Sequence, residues 1–229
     1  MSFAQDAAEL ERILEGAGVE AFVRTRLARY GARVLDSNAR FNLTGAKTAA
    51  ALAPHLLDAL TLVPFASEPL VDVGSGAGLP AIPVAIATGF RVTLVETTIK
   101  KARFLEATLH ELDLTGDVVA GRAEIAAHDP QLRERFACGT ARAVALAPTV
   151  AELLLPFVAA GGCALLQRGT FDRRERDALA DAALMLGAVV ESETIVDGER
   201  RIVVVRKESP TPGKFPRRPG IPEKRPLCW

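Results

Sequence analysis

The sequence predicts an α/β fold: a Rossmann-like, seven-stranded, mostly parallel sheet that ends in an antiparallel hairpin and follows a helical extension. Three observations predict it. From Leu70 onward, short apolar runs alternate with segments of helical periodicity, as expected for the strands and helices of a parallel sheet. A glycine-rich turn separates the first strand from the first of these helices. Two β-rich runs flank Asp197-Gly198, a dipeptide typical of tight hairpins.

The first 65 residues are predicted to be helical, because apolar residues recur at three- and four-residue steps. The residues on this apolar face are Leu10, Ile13, Leu14, Phe22, Val23, Leu27, Tyr30 and Val34. Three arginines, Arg26, Arg29 and Arg33, share a face of the second helix. Residues 1–65 are therefore assigned as an N-terminal helical extension.

Residues 66–207 carry the alternating pattern and are assigned as one α/β domain. The predicted strands are 70–73, 91–95, 117–120, 141–144, 163–167, 189–195 and 200–206, and the predicted helices are 81–87, 99–112, 149–158 and 172–186. Residues 208–229, the C-terminal tail, are rich in proline, which disfavours both a regular helix and a central strand. We expect the tail to be an extended, exposed arm.

Charge is distributed unevenly along the chain. The 229 residues contain 28 basic and 28 acidic side chains, a balance that by itself argues against nucleic-acid binding. Residues 206–229, however, hold seven basic and two acidic residues, and residues 21–50 hold six basic residues and Asp36 alone. The net charge of zero is thus the sum of two basic segments and an acidic remainder. It does not exclude nucleic-acid binding.

Other features narrow the class of protein. Cys138, Cys163 and Cys228 lack the spacing of zinc ligands or of a disulfide framework, so we expect no metal site. The N-terminus lacks the basic flank and apolar stretch of a signal peptide, and no apolar run is long enough to span a bilayer. We therefore expect a cytoplasmic protein that does not contact membranes and, by default, a monomer.

The stretch from Val71 to Pro80, VDVGSGAGLP, is the motif that carries chemistry. It follows a strand and opens a helix, where glycines let a ligand approach the backbone. Residues 76–81 fit the dinucleotide pattern GxGxxA, with Glu96 placed for ribose hydroxyls, whereas residues 74–78 fit the GxGxG pattern of S-adenosylmethionine (SAM) enzymes. The terminal hairpin favours SAM, as does Asp72, whose carboxylate would repel a pyrophosphate. The class I SAM-dependent methyltransferase fold is therefore predicted.

Motifs along the rest of the chain, together with this loop, resemble the RsmG (GidB) family of small-subunit rRNA methyltransferases. They are Asn42-Leu43-Thr44, His55 to Asp58, Lys101 to Leu105, Arg122-Ala123-Glu124, Ala141-Arg142-Ala143, Gln167-Arg168-Gly169, Asp197 to Arg200 and Lys214 to Gly220. The resemblance implies methyl transfer from SAM to N7 of a guanine in the decoding-region loop of 16S rRNA. The implied partner is 16S rRNA or the small ribosomal subunit.

The resemblance also implies which residues bind the cofactor. Four residues, Gly74, Gly76, Gly78 and Leu79, line the SAM loop next to Asp72. Glu96 receives the ribose hydroxyls, and Ala123 and Glu124 lie beside the adenine. Arg168 stands where the family usually has a lysine, and it presents a planar fork in place of a point charge.

Arg142, at the end of the fourth predicted strand, is the candidate catalytic residue. The resemblance places it at the mouth of the cofactor pocket, where we expect its guanidinium to orient the guanine O6 or a neighbouring phosphate. An ion pair with a nearby carboxylate is the alternative role. His55 and Asp58, three residues apart on a predicted helix, are candidates of second rank.

Basic residues in three places are predicted to contact RNA phosphates. They are Arg26, Arg29 and Arg33 in the extension, Lys100 and Arg103 after the second strand, and Lys214, Arg217, Arg218, Lys224 and Arg225 in the tail. A solvated helix face is the alternative for the first two groups. Truncation at Ser209 is expected to weaken RNA binding and to leave SAM affinity nearly unchanged. A SAM-binding ribosome-assembly factor, or a methyltransferase for another RNA or a small molecule, is the alternative function.

Overall fold

The computed structural model describes residues 2–142, 145–198 and 200–229. Its centre is a seven-stranded sheet in the order β3-β2-β1-β4-β5-β7-β6. The strands are β1 (Leu70–Val73), β2 (Val92–Glu96), β3 (Gly116–Ala120), β4 (Phe136–Arg142), β5 (Val158–Arg168), β6 (Ala188–Asp197) and β7 (Arg200–Lys207). Strands β1 to β5 are parallel, and β7 runs antiparallel between β5 and β6. The predicted parallel sheet with a terminal antiparallel hairpin is confirmed.

Helices cover both faces of this sheet. They are α1 (Phe3–Gly16), α2 (Ala21–Asn38), α3 (Ala49–Leu60), α4 (Ala81–Thr88), α5 (Ile99–Glu111), α6 (Ala123–Ala126), α7 (Ala147–Leu154), α8 (Arg173–Met185) and α9 (Ile221–Lys224). Short 3-10 turns follow α3 at Val63–Phe65 and α7 at Leu155–Phe157. None of the helices in the described part of the chain is long and apolar enough to cross a bilayer.

The strand residues alternate between two separate cores. Leu70 of β1 packs in the core that contains α1 to α5, whereas Val71 and Val73 pack in the core that contains α7 and α8. The N-terminal helices are therefore one of the two layers on the sheet, and this layer brings α2 and α3 next to the carboxyl end of β1 and β4.

Several predicted boundaries differ from the structure. Strands β4 and β5 begin at Phe136 and Val158, five residues before their predicted starts. The predicted helix 149–158 ends at Leu154, because Pro156 lacks an N–H and the chain continues as a 3-10 turn into β5. The predicted strand 141–144 ends at Arg142 as far as the described residues show, since Ala143 and Val144 lie outside them.

The prediction of an extended, exposed arm for the C-terminal tail is wrong. Phe215 and Leu227 are buried in the core that contains α7 and α8, and Thr211 is buried as well. The tail also forms the short helix α9. Proline prevents regular backbone hydrogen bonding, but it leaves the apolar side chains between the prolines free to pack.

Candidate functional site

The glycine loop after β1 is tied to the end of β2. The N–H groups of Gly74 and Ser75 donate to the Val95 carbonyl at 2.9 and 3.2 Å. The Gly76 N–H donates to Glu96 Oε2 at 2.8 Å, and the Gly78 N–H donates to the Ser75 carbonyl at 2.6 Å. Glu96, the predicted ribose ligand, thus also fixes the loop on which a ligand would lie.

Tyr30 supports the same loop from helix α2. It is the only tyrosine of the chain, it is fully buried, and its hydroxyl donates to the Ala77 carbonyl at 2.8 Å. Burial raises the pKa of Tyr30 far above its usual value, so the hydroxyl remains a donor. The apolar pattern of α2 predicts only a core position for Tyr30, without this role. The signal was its hydroxyl, which needs a partner when buried.

Asp72, at the foot of the loop, is a buried carboxyl with one unused acceptor. Thr140 Oγ1 on β4 donates to Asp72 Oδ1 at 2.7 Å, while Asp72 Oδ2 has no hydrogen-bond partner among the described residues. Burial is the main cause that raises its pKa to about 7, against a smaller lowering by the hydroxyls of Thr140 and Ser75 and by the charge of Arg142. An unpaired buried carboxylate of this kind favours a cationic ligand nearby.

Asp72→Asn is expected to change how stability depends on pH. Asp72 titrates at 3.8 when unperturbed and at about 7 in the folded chain. Between these values the folded chain holds a proton that the unfolded chain has lost, so the stability of the wild type falls as the pH rises through this window. Asparagine does not titrate, so the variant should gain about 4 kcal/mol relative to the wild type across the window. Urea unfolding of both proteins at about pH 4 and about pH 8 measures this gain, and parallel profiles would contradict it.

A cleft of about 200 Å³ opens beside the glycine loop at the carboxyl ends of β1 and β2. Its lining residues are Val73, Gly74, Val95, Thr97, Gly121, Arg122, Ala123, Glu124, Ala145, Thr149, Leu153, Pro222 and Glu223. The predicted cofactor residues Gly74, Ala123 and Glu124 are thus brought together, and Leu79 is buried behind the loop.

The chemistry of this cleft fits SAM. The carboxyl groups of Glu96 and Glu124 are buried beside it, and one oxygen of Asp72 has no partner among the residues that the structure describes. Acidic groups attract the sulfonium and ammonium of SAM, whereas they would repel the pyrophosphate of a dinucleotide. Gly78 also closes the loop tightly, since a side chain there would overlap Ile82 of α4.

A second cavity, of about 550 Å³, opens at the carboxyl ends of β4 and β5. It is lined by Thr44, Gly45, His55, Asp58, Arg142, Gln167, Arg168, Gly169, Arg200 and Arg201. We call it the arginine cavity. It lies at the same edge of the sheet as the cleft, where ligands bind in open α/β sheets. Helix α3 supplies part of its wall, which gives the N-terminal layer a direct place in the site.

Arg142 and Asp58 form the centre of the arginine cavity. Arg142 Nη1 lies 3.4 Å from Asp58 Oδ2 and 3.5 Å from the His55 carbonyl, and Arg200 Nη1 lies 3.7 Å from Asp58 Oδ1. The ion pair that was the alternative role of Arg142 is therefore present. Arg200 was missed by sequence analysis, because its partner Asp58 lies on a distant helix. Burial, helped by the charge of Arg142, lowers the pKa of His55, so its ring is neutral at pH 7.

Arg168 is held at the rim of this cavity by its own partners. Its Nη1 donates to the Ala145 carbonyl at 2.7 Å, and its Nη2 pairs with Glu175 of α8. Glu175 Oε1 also accepts the N–H of Ala147 at 2.7 Å. The forked guanidinium thus connects the end of β5 to the chain between β4 and α7, which a lysine would do through fewer contacts.

The three arginines predicted on one face of α2 have different surroundings. Arg26 Nη2 donates to the Leu112 carbonyl at 2.6 Å. Arg33 Nε donates to Thr108 Oγ1 at 2.8 Å, its Nη1 pairs with Glu111 and its guanidinium lies over the Phe104 ring. The side chain of Arg29 is exposed. Two of the three thus contact α5 and the residue that follows it, which leaves Arg29 as the best placed for RNA.

Arg33→Ala is expected to lower the stability of the fold, whereas Arg29→Ala is expected to weaken RNA binding and to leave stability nearly unchanged. Arg33→Ala should cost about 1–2 kcal/mol of stability, because it removes a hydrogen bond, an ion pair and a cation–π contact. Arg29→Ala should leave stability within about 0.5 kcal/mol and lower the salt slope of RNA binding by about one. Urea unfolding and filter binding at several salt concentrations check both. A larger RNA defect for Arg33→Ala than for Arg29→Ala would reverse this assignment.

The other predicted RNA residues divide in the same way. Lys100 and Arg103 of α5 are exposed, as are Lys214, Arg218, Lys224 and Arg225 of the tail. Arg217, in contrast, forms a forked ion pair with Glu152 of α7, whose side chain is fully buried. Sequence analysis missed Glu152, because a single acidic residue in an apolar helix gives no sign of a partner 65 residues away.

Comparisons with known proteins agree with this geometry. A family model described as rRNA small subunit methyltransferase G matches residues 24–204. Ribosomal RNA small subunit methyltransferase G of Pelotomaculum thermopropionicum is 38% identical over 95% of this chain and 98% of its own length, and that of Deinococcus deserti is 39% identical over 85% and 84%.

Solved structures match the fold at lower identity. A methyltransferase from Pyrococcus furiosus is 14% identical with a TM-score of 0.55, over 78% of this chain and 98% of its own. An O-methyltransferase from Bacillus cereus, solved in complex with SAH, is 18% identical with a TM-score of 0.55, over 76% and 89%. The fold is therefore that of the class I SAM-dependent methyltransferases, and the chain belongs to the rRNA small subunit methyltransferase G family.

Proposed function

We propose that this protein transfers the methyl group of SAM to N7 of a guanine in the decoding-region loop of 16S rRNA, as a cytoplasmic monomer. One observation carries the proposal: a cleft at the glycine loop, with the carboxyl groups of Glu124 and Glu223 in its lining, and an arginine-lined cavity open at the same edge of the sheet. The first suits a cationic cofactor without phosphate, and the second suits a nucleotide.

The cofactor residues bind and orient. SAM, when bound, supplies an electrophilic methyl group on a cationic sulfonium. Glu96 would hold the ribose hydroxyls, since its carboxylate ends β2 beside the Gly76 N–H. Ala123 and Glu124, at the start of α6, would hold the adenine. Asp72 would contribute a negative charge at the foot of the loop, which favours a cationic ligand.

The arginine cavity would hold the guanine without a general base. Guanine N7 carries a lone pair and no proton at neutral pH, so the protein needs only to position it, which can supply roughly 7–11 kcal/mol of a barrier. Arg142 would donate to the guanine O6 or to a phosphate, with Asp58 fixing its orientation. The neutral ring of His55 adds a hydrogen-bonding group without further charge.

The exposed basic residues would extend this site along the RNA. Arg29, Lys100, Arg103, Lys214, Arg218, Lys224 and Arg225 present charges to solvent. Charges of this kind hold phosphates without reading sequence, so the choice of guanine falls to the cavity and to the fold of the RNA.

Transfer of a radiolabelled methyl group from SAM to purified RNA tests the proposal. The substrates are 16S rRNA and small subunits that lack this methylation, with 23S rRNA and transfer RNA as controls. We expect label in 16S rRNA alone. SAM binding without transfer to any substrate would favour an assembly factor, and transfer to another RNA or to a small molecule would favour the remaining alternatives.

A further inference from the structure

The C-terminal tail contacts the two helices beside the cofactor cleft. The Gly220 N–H donates to Glu124 Oε1 at 2.8 Å, and Thr149 Oγ1 of α7 donates to the Pro222 carbonyl at 3.0 Å. Pro222 and Glu223 line the cleft together with Thr149 and Glu124. The tail is therefore part of the wall of the cleft, next to a residue predicted to lie beside the adenine.

One ion pair between the partly exposed Arg217 and the buried Glu152 holds this part of the tail in place. Arg217 Nε lies 2.8 Å from Glu152 Oε1, Arg217 Nη2 lies 2.6 Å from Glu152 Oε2, and the Arg217 N–H also donates to Glu152 Oε1 at 2.8 Å. Arg217 Nη2 donates in addition to the Arg225 carbonyl at 2.7 Å. Glu152 lies on α7 between Thr149 and Leu153, which both line the cleft. The pair thus ties the chain on both sides of α9, at Arg217 and Arg225, to the helix that forms the cleft.

The tail before Arg217 has separate contacts. Arg133 donates to the carbonyls of Phe215 and Thr211 at 3.0 and 2.7 Å, and His128 Nε2 lies 2.9 Å from the Pro216 carbonyl. Phe215 is also buried in the core. A substitution at Arg217 should therefore loosen residues 217–229, which keep only Leu227 in the core and the hydrogen bonds at Gly220 and Pro222 as anchors, and leave residues 211–216 in place.

We propose that the tail completes the cofactor site and that Arg217 is a positioning residue for cofactor binding. Through Glu152 and the Arg225 carbonyl, Arg217 keeps Gly220 against Glu124 and Pro222 against Thr149. This proposal rests on the proposed function, because it takes the cleft as the SAM site. It replaces the expectation that truncation at Ser209 spares SAM affinity: the truncated chain should lose SAM affinity as well as RNA affinity.

Basic residues of the tail thus have two different roles, one toward the cofactor cleft and one toward RNA. Arg217 points to α7 and serves the cofactor cleft, whereas its neighbour Arg218 is exposed and available to RNA. Arg217 and Arg218 therefore form a matched pair for an experiment, since both changes remove one positive charge from the same segment.

Titration with S-adenosylhomocysteine, the demethylated product of SAM, tests the proposal by calorimetry. Arg217→Gln should weaken binding by about tenfold or more, which corresponds to about 1.4 kcal/mol. Arg218→Gln should leave binding of this ligand within about twofold, because surface changes have small effects. In methyl transfer, Arg217→Gln should raise the KM for SAM and leave kcat nearly unchanged at saturating SAM. A defect in folding alone would instead lower the active fraction and leave KM unchanged.

The single tryptophan, Trp229, reports on the tail without a label. Its ring lies 4.2 Å from the Arg174 guanidinium of α8. Acrylamide should quench its fluorescence more strongly in Arg217→Gln than in the wild type, and S-adenosylhomocysteine should protect the wild type. Equal quenching in both proteins would overturn the proposal.

A double variant separates the loss of the ion pair from the cost of burying an unpaired carboxylate. Arg217→Gln alone leaves Glu152 buried without its partner, whereas Arg217→Gln combined with Glu152→Gln leaves no charge at the site. The double variant should still bind S-adenosylhomocysteine more weakly than the wild type. Wild-type affinity in the double variant would refute the role of the ion pair. Failure of the wild type itself to bind this ligand would refute the proposed function instead.

Discussion

Gly78→Ala is expected to lower the stability of the protein by about 3 kcal/mol and to abolish measurable SAM binding. Gly78 has a φ of 96°, where residues with a side chain are strained. A Cβ atom there would overlap Ile82 Cδ1 and lie 2.8 Å from Ile82 Cγ1 and 3.1 Å from Leu105 Cδ2. Ile82 and Leu105 are both fully buried, so neither has space to withdraw.

The displaced loop would also lose its own hydrogen bonds. Gly78 donates to the Ser75 carbonyl and accepts from the Ile82 N–H at 2.8 Å, so a shift at Gly78 disturbs both the glycine loop and the first turn of α4. Urea unfolding and calorimetric titration with SAM measure the two losses separately.

Gly76→Ala is the matched control for stability. Gly76 has a φ of 58°, and a Cβ atom there would meet nothing closer than the Gly74 carbonyl oxygen at 3.8 Å. Its cost should therefore be about 1 kcal/mol, the strain of the left-handed region alone. Replacing Ile82 by Val in the Gly78→Ala background should recover part of the stability, because it removes the Cδ1 atom. Equal unfolding midpoints for Gly78→Ala and Gly76→Ala would contradict the overlap described above.

Arg142→Ala is expected to lower kcat/KM for RNA by about 100-fold, because a forked contact to a base is worth roughly 1–3 kcal/mol and here also orients the reacting atom. Its stability should change little. Asp58 keeps Arg200 as a partner at 3.7 Å when Arg142 is removed, so no carboxylate is left without a positive charge nearby. Single-turnover methyl transfer at RNA concentrations from well below saturation to saturation measures the loss and divides it between binding and chemistry. Full transfer by Arg142→Ala would exclude Arg142 from the chemistry.

Two companion variants separate the charge of Arg142 from its geometry. Arg142→Lys keeps the positive charge and loses the fork, so it should recover only part of the activity. Asp58→Asn removes the carboxylate that orients Arg142 at 3.4 Å and keeps the guanidinium. Its defect should be smaller than that of Arg142→Ala, and a larger defect would assign the main role to Asp58.

The sheet and the glycine loop were predictable because their signals are local. The run from Leu70 to Val73, the glycines that follow and the hairpin at Gly198 each specify a backbone conformation within a few residues. Gly198 has a φ of 53°, as the turn requires. Such signals do not depend on what packs against them.

The surroundings of the polar side chains were not predictable, because they depend on contacts between distant segments. Periodicity predicts Arg26 and Arg33 on a polar face, yet α5 lies over that face, and Thr108 of α5 and Leu112 directly after it accept their hydrogen bonds. The prolines of the tail predicted irregular backbone correctly, but exposure was inferred from composition. Phe215 is buried because it packs against the core that contains α7 and α8. No pattern within the tail predicts this contact.

Mapping the methylated nucleotide of 16S rRNA tests the central claim most directly. Unmethylated 16S rRNA or small subunits are incubated with the protein and SAM, and the RNA is then reduced and treated with aniline, which cleaves the chain at N7-methylguanosine. We expect one new cleavage, at a guanine of the decoding-region loop, that is strongly reduced when Arg142→Ala is incubated for the same time. Methyl transfer without cleavage there, or cleavage elsewhere in the RNA, would contradict it.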